Sequence, residues 1–328
     1  MRVLSGIQPS GKLHLGNYFG AMAQHLSLGA DETNECFFFI ANYHAMTTIK
    51  DAKLLREYSM DVALDYLALG LDGEKVAFFC QSDIPEIPEL TWIIGTVEPV
   101  ARLELAHSYK DKLAKGIPPD FGLFAYPVLM AADILAYRSE IVPVGADQRQ
   151  HVEMTRDMAE RFNNLYGEIL TLPAARILPE VAVVPGTDGQ KMSKSYGNTI
   201  EIFAEPAEVK KAVMSIVTDS TPLAEPKDPD GCNVFALLKL FADDAETADW
   251  AQRYRKGGTG YGDAKGRLLE LIAERFDDAR LKRAELAARP EVVHKVLRNG
   301  AQKARAVAAD LLKDVRKAVG ILDVPRAS

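Results

Sequence analysis

Short runs of β-forming residues alternate with longer helix-patterned stretches through the first 185 residues of this chain, and then the alternation stops. The runs Arg2 to Gly6, Glu35 to Ala41, Lys75 to Cys80, Glu140 to Val144 and Val181 to Val184 read as strands. Between the second and third, Asp51 to Leu69 carries Leu54, Leu55, Tyr58, Val62, Leu64 and Leu67 at helical spacing after an Asp cap, and ends at Gly70. Strands separated by helices cannot pair as hairpins. The alternation therefore predicts an α/β fold, a Rossmann-like parallel sheet with helices on both faces and ligands at the carboxyl ends of its strands. After Ser195 no strand is apparent: Pro206 to Val217, Val234 to Phe241, Glu246 to Lys256, Asp263 to Leu286 and Glu291 to Val319 read as helices, and the Pro-rich 221–231 as a loop. The expected division is residues 1–195 as the α/β domain and 196–328 as an all-helical one.

The chain has 328 residues, 48% of them hydrophobic, enough for one large core and a smaller one. No apolar run approaches the roughly 20 residues of a spanning helix, and Met1-Arg2-Val3-Leu4 enters a strand without a secretory pattern. A cytoplasmic, membrane-free protein is expected. Cys36, Cys80 and Cys232 are three and widely spaced, which fits buried thiols better than disulfides or metal ligands. A formal charge of −7 argues against a generic nucleic-acid binder, but from Leu281 onward there are 11 Lys and Arg against 5 Asp and Glu. A basic tail on an acidic body permits a local phosphate-binding stripe, and equally a solvated helix face.

Two segments carry the chemistry. Ser5-Gly6-Ile7-Gln8-Pro9-Ser10-Gly11 follows the first strand and leads into His14-Leu15-Gly16-Asn17, which opens a helix. Glycines here let backbone and nucleotide approach closely, and the helix start offers N–H groups to an anion. An ordinary strand-to-helix turn would look the same in isolation. About 180 residues later, Lys191-Met192-Ser193-Lys194-Ser195 lies between turn-rich stretches, so that two lysines can close on phosphates and open again. In this order the pair resembles the two ATP signatures of the class I aminoacyl-tRNA synthetases, with Asn17 in place of the second histidine of the first signature. An Asn amide still donates to a phosphate oxygen.

Tyr126-Pro127-Val128-Leu129-Met130-Ala131-Ala132-Asp133-Ile134-Leu135 puts one carboxylate in an apolar helix. Burying it unpaired is costly, so it needs a donor: a neighbouring backbone group or Arg, or a ligand N–H such as that of an indole. Ile141-Val142-Pro143-Val144-Gly145-Ala146-Asp147-Gln148 then ends a strand at the start of a helix, where Asp147 can cap, bind, or do both.

These segments are similar to the bacterial tryptophan branch of that family over nearly the whole chain. The resemblance implies ATP contacts from Gln8, Pro9, Ser10, His14, Gly16, Asn17, Gly145, Ala146, Asp147, Lys191, Met192, Ser193, Lys194 and Ser195. It implies an indole acceptor in Asp133 and an amino-acid pocket of Tyr126, Met130, His44 and Gln148. Lys110 and Lys112 resemble a further mobile phosphate loop, and the resemblance implies Lys191, Lys194, Ser195, Lys112 and Gln8 as the catalytic residues. It further implies L-tryptophan, ATP with Mg²⁺, and tRNA(Trp) as partners, anticodon reading by the helical domain, and a homodimer built around residues 85 to 140. No iron–sulfur cluster is expected, since only Cys232 lies in the helical part, and no zinc. Trp92 and Trp250 are expected to pack, and His25, His107, His151 and His294 to be structural. The substrate carboxylate is already ionised, which explains the lack of a catalytic dyad. A tyrosyl-type enzyme, a nucleotidyltransferase without tRNA, and a silent RNA-binding paralogue are the competing readings.

Overall fold

The computed structural model describes residues 1–106, 109–110, 113, 116, 118, 120–145, 149–177 and 184–322. Five parallel strands, β1 (Arg2–Ile7), β2 (Glu35–Ile40), β3 (Ala77–Cys80), β4 (Ile141–Val144) and β5 (Ala174–Ile177), form one sheet in the order β3-β2-β1-β4-β5. The order reverses direction between β1 and β4, and a crevice opens beyond the carboxyl ends of strands at such a point. Helices cover both faces, so β2 is buried along five of its six residues and its Phe37, Phe38 and Phe39 alternate between two separate cores.

The fifth strand lies earlier than expected. Residues 181–183 are outside the described ones, and the strand that pairs with β4 is Ala174–Ile177, whose Ala-Ala-Arg-Ile has little β-branched signal. The third strand begins at Ala77 rather than Lys75, because Lys75 and Val76 are drawn into a turn by Asp72, which accepts from the Val76 N–H at 2.9 Å.

The connections set the site. Helix α1 (Leu15–Asn17) runs into α2 (Ala23–Ala30) through a wide π turn at Tyr18–Met22. After the short α3 (Asn42–Ala45), α4 (Ala52–Ala68) starts as its sequence demands, Asp51 accepting from the N–H groups of Lys53 and Leu54 at 2.7 and 3.0 Å. Then come α5 (Glu86–Gly95), α6 (Val100–Leu103), α7 (Phe121–Ala136) and α8 (Arg149–Tyr166). Beyond the second signature lie α9 (Pro206–Met214), α10 (Asn233–Leu238), α11 (Asp244–Lys256), α12 (Tyr261–Ala287) and α13 (Pro290–Ala318).

The last helix returns to the sheet. Val293 and Leu297 of α13 join the core on one face, while Ala304, Ala308, Leu311, Leu312 and Val315 join the core on the other. The helix crosses the outer strand β3 between them, at Gly300, where an added Cβ would stand 1.9 Å from the Phe78 carbonyl oxygen. Only glycine fits that approach. Trp250 packs as expected, but Trp92 does not: 76% of it is exposed in the single chain. Cys36 and Cys232 are buried free thiols, whereas Cys80 is only half-buried because it ends β3 at the open side of the sheet. Among the described residues no helix is long and apolar enough to cross a membrane.

Candidate active site

Two cavities open beyond the strand ends, one of about 510 Å³ and one of about 370 Å³. Gly6 and Gln8 after β1, Gly20 and Ala21 on the π turn, and His25 line both. The π turn matters here, since it presents its two smallest residues to the junction. An added Cβ at Gly20 would meet nothing within 4 Å, so that wall is open space.

The larger cavity is closed by the two signatures meeting. Residues 13–16 and 192–202 are zipped by Leu15 N–H to Ile200 O and Ile202 N–H to Leu13 O, both 3.0 Å, over the fully buried Ile200 and Ile202. Met192 is buried beneath them and its sulfur accepts from the Gly16 N–H at 3.3 Å. A side chain at Gly16 would press on Met192 and the His14 ring, so the glycine is what lets the loop seat. Asn198 holds the loop from inside: its amide oxygen accepts from Ser193 N–H at 2.8 Å and its nitrogen donates to Asp188 at 2.7 Å. Lys194 then reaches across to the Ser10 carbonyl at 3.0 Å.

Of the residues expected at ATP, Gln8, Ser10, His14, Gly16, Asn17, Lys191, Met192 and Lys194 line this cavity. Pro9, Ser193 and Ser195 adjoin it without lining it, Ser193 and Ser195 sharing a hydroxyl hydrogen bond of 2.8 Å. Gly145 lines the smaller cavity instead. Ala146, Asp147, Gln148 and Lys112, with His107, lie outside the described residues. His14 is buried, and burial first, then the nearby Lys194 charge, lowers its pKa to about 4. It is a neutral imidazole whose Nδ1 meets no partner among the described residues. The Asn17 amide is oriented by its oxygen accepting the His14 N–H at 3.4 Å, which turns its NH₂ outward as a donor.

The smaller cavity holds Asp133, His44, Tyr126 and Met130 together. Asp133 is 1% exposed, and among the described residues neither an Arg nor the backbone partners it. His44 Nε2 donates to Oδ2 at 2.9 Å, and Gln81 Nε2 bridges Oδ1 and Oδ2 at 3.0 and 2.7 Å. Burial raises the Asp133 pKa, and these hydrogen bonds and the His44 charge oppose the rise. Tyr126 is hydrogen-bonded to His151.

Sequence reasoning missed Gln81, Asp65, Tyr66 and His25. Gln81 follows β3 directly, at the side of the sheet where ligands sit, and that position was a usable signal. His25 is structural in part only. Ser5 Oγ and Tyr66 OH flank its two nitrogens, each at 2.8 Å, burial lowers its pKa to about 4, and it forms wall in both cavities. Among the described residues no cluster of three or more His, Cys, Asp or Glu is placed to hold a metal.

A family model described as tRNA synthetases class I (W and Y) matches residues 1–277. The tryptophan–tRNA ligase of Rhodopirellula baltica is 52% identical over 321 residues, spanning 98% of this chain and 100% of its own. That of Fusobacterium nucleatum subsp. nucleatum is 52% identical over 322 residues, 98% of each. Among solved structures, tryptophanyl-tRNA synthetase from Campylobacter jejuni complexed with ADP and tryptophan is similar at a TM-score of 0.92 and 51% identity, covering 98% of this chain and 100% of that one.

Proposed function

The chain belongs to the class I tRNA synthetases of the tryptophan and tyrosine family, and from that membership we propose how its two cavities divide the work. The protein activates tryptophan with ATP and transfers it to tRNA, the activity named for relatives of about half identity across the full chain. The indole enters the smaller cavity against Asp133, with Met130, Tyr126 and His44 around it. The triphosphate enters the larger one, against Gln8, Ser10, His14, Gly16, Asn17, Lys191, Met192 and Lys194. The observation that carries this division is the shared wall of Gly6, Gln8, Gly20, Ala21 and His25. It brings an amino-acid carboxylate and an α-phosphate to one point.

The carboxylate is the nucleophile and needs no general base. The protein's part is in-line positioning and a charge for the departing pyrophosphate, supplied by Lys194 once it leaves the Ser10 carbonyl. Family position adds Lys112, Ala146, Asp147, Gln148 and Ser195 to the site, with Pro9, Ser193 and Gly145 as its border. Mg²⁺ comes in on the triphosphate: the described wall of the larger cavity offers one carboxylate, Asp65, and Arg283 already engages it at 2.6 Å. The tryptophanyl group then passes to the terminal ribose of tRNA(Trp), whose anticodon we assign to the helical residues 196–328. We place the enzyme in the cytoplasm as a homodimer. Trp92, Val100, Leu105 and Phe121, all more than half exposed within 85–140, support that interface.

Pyrophosphate exchange with tryptophan, tyrosine and no amino acid tests the reading. Exchange should require tryptophan, and Lys194→Ala should slow it about 10²- to 10³-fold with little change in tryptophan affinity. Exchange that tyrosine supports equally well would refute the substrate assignment.

A further inference from the structure

Gln81 is buried at 1% exposure, sits 52 positions from Asp133 in sequence, and makes three hydrogen bonds that share one purpose. Its Oε1 accepts the Tyr43 backbone N–H at 3.0 Å. A backbone N–H can only donate, so the amide cannot be flipped, and Nε2 must be the end facing Asp133. There it donates to both carboxylate oxygens, and His44 adds a donor to Oδ2. A carboxylate has two lone pairs on each oxygen. Oδ2 then has both engaged, and Oδ1 keeps one.

We propose that Gln81 is the specificity-positioning residue of the amino-acid cavity: its fixed amide holds Asp133 as an acceptor with one lone pair left, on Oδ1, for an N–H donor on the substrate ring. The inference rests on the tryptophan reading of the cavity. A protonated Asp133 would turn that acceptor into an O–H donor and remove the preference for a ring N–H. Burial drives the carboxyl that way, and Gln81 and His44 work against it. Two further titratable neighbours are neutral from pH 6 to 9. Burial raises the Tyr137 phenol well above its ordinary value, with the charges of Asp133 and Glu86 adding to it, and His25 titrates at about 4. His44 and Tyr126 are the same in every variant compared below.

Two substitutions separate the donor from the shape. Gln81→Met keeps the length and removes the donor, so the acidic form of Asp133 should persist to higher pH. Gln81→Glu keeps the shape and shares one proton between two carboxyls, so a donor to Asp133 remains at low pH and is lost as pH rises. The measurement is the ratio of kcat/KM in pyrophosphate exchange for tryptophan over its benzothienyl analogue, from pH 6 to 9, on the full chain. Relative to the unaltered protein, Gln81→Met should lower the ratio roughly tenfold at pH 7 and recover toward alkaline pH. Gln81→Glu should keep the ratio within about threefold of the unaltered protein at pH 6, where its shared proton still supplies the donor. A merely structural Gln81 would depress both substrates alike and leave the ratio and its pH profile unchanged in both folded variants, which overturns the proposal. Loss of tryptophan exchange in the unaltered protein is the separate failure that would belong to the substrate reading.

Discussion

His14 is a buried histidine that carries no charge at neutral pH. With its pKa held at about 4 by burial and by Lys194, it has a neutral N–H to offer the triphosphate proposed for the larger cavity. The pH profile of kcat/KM for ATP reports the free enzyme, so it should show no inflection between pH 6 and 7.5 from this residue. His14→Asn, which keeps a neutral donor, should lose less than about tenfold, whereas His14→Ala should lose about 10²- to 10³-fold. An inflection near 6.5 that His14→Asn abolishes would contradict this. Residues whose role follows from type and local spacing were legible in the sequence: the lysine loop, Gly16, and Asp133 as a buried acid in need of a donor. The donors themselves were not. Gln81 and His44 come to Asp133 across 52 and 89 positions, and although the place of Gln81 just after β3 points to the ligand side of the sheet, nothing local tells which acid it will meet.

At the scale of elements, α12 is tied to α4 by a compact charge cluster behind the larger cavity. Arg283 donates to Asp65 and Asp61 at 2.6 and 2.5 Å, and Lys12, from the loop after β1, reaches Asp61 at 3.1 Å. Arg280 adds a hydrogen bond to the Ile202 carbonyl, at the foot of the lysine loop. Removing Arg283 leaves two buried acids without their main partner, so Arg283→Met should cost about 3–5 kcal/mol. Burial already pushes the Asp65 carboxyl up to about 6. An acid raised in the fold favours the folded state while it is protonated and loses that contribution as pH rises through its folded pKa. The Tm deficit of Arg283→Met should therefore be larger at pH 8 than at pH 5; an equal deficit at both would count against a buried charge as its cause. Helix positions were legible because their spacing is local, and α4 and its Asp51 cap are examples. The π turn was not, since Tyr-Phe-Gly-Ala-Met also suits an α-helix, and neither was β5, whose short run is recruited by β4 rather than by its own propensity.

Across the whole molecule, the basic end of the chain does two separate jobs. Lys303 donates to the Glu74 carbonyl at 2.6 Å, Arg305 to Glu86 at 2.9 Å, and Arg138 binds Asp310 and Asp314, so these charges fasten α13 to the body. Among the described residues Lys295 and Arg298 have no ion pair, which leaves them available to a phosphate if the helical part holds tRNA as proposed. Replacing both by Ala should lower the salt slope of tRNA binding by about 2 and leave tryptophan-dependent exchange untouched. An unchanged slope would make them a solvated face. Composition disclosed the charge excess but not this division, because which cation is engaged depends on Glu74 and Glu86, 229 and 219 positions away in sequence. The same return of α13 bears on how the chain is made. Strand β3 emerges from the ribosome long before Gly300, so for most of synthesis the apolar Ala77-Phe78-Phe79 run has one unguarded edge, open to pairing with another nascent chain. Translation that stops short of residue 300 thus releases an exposed strand edge, which the turns of α13 around Gly300 cover in the folded chain.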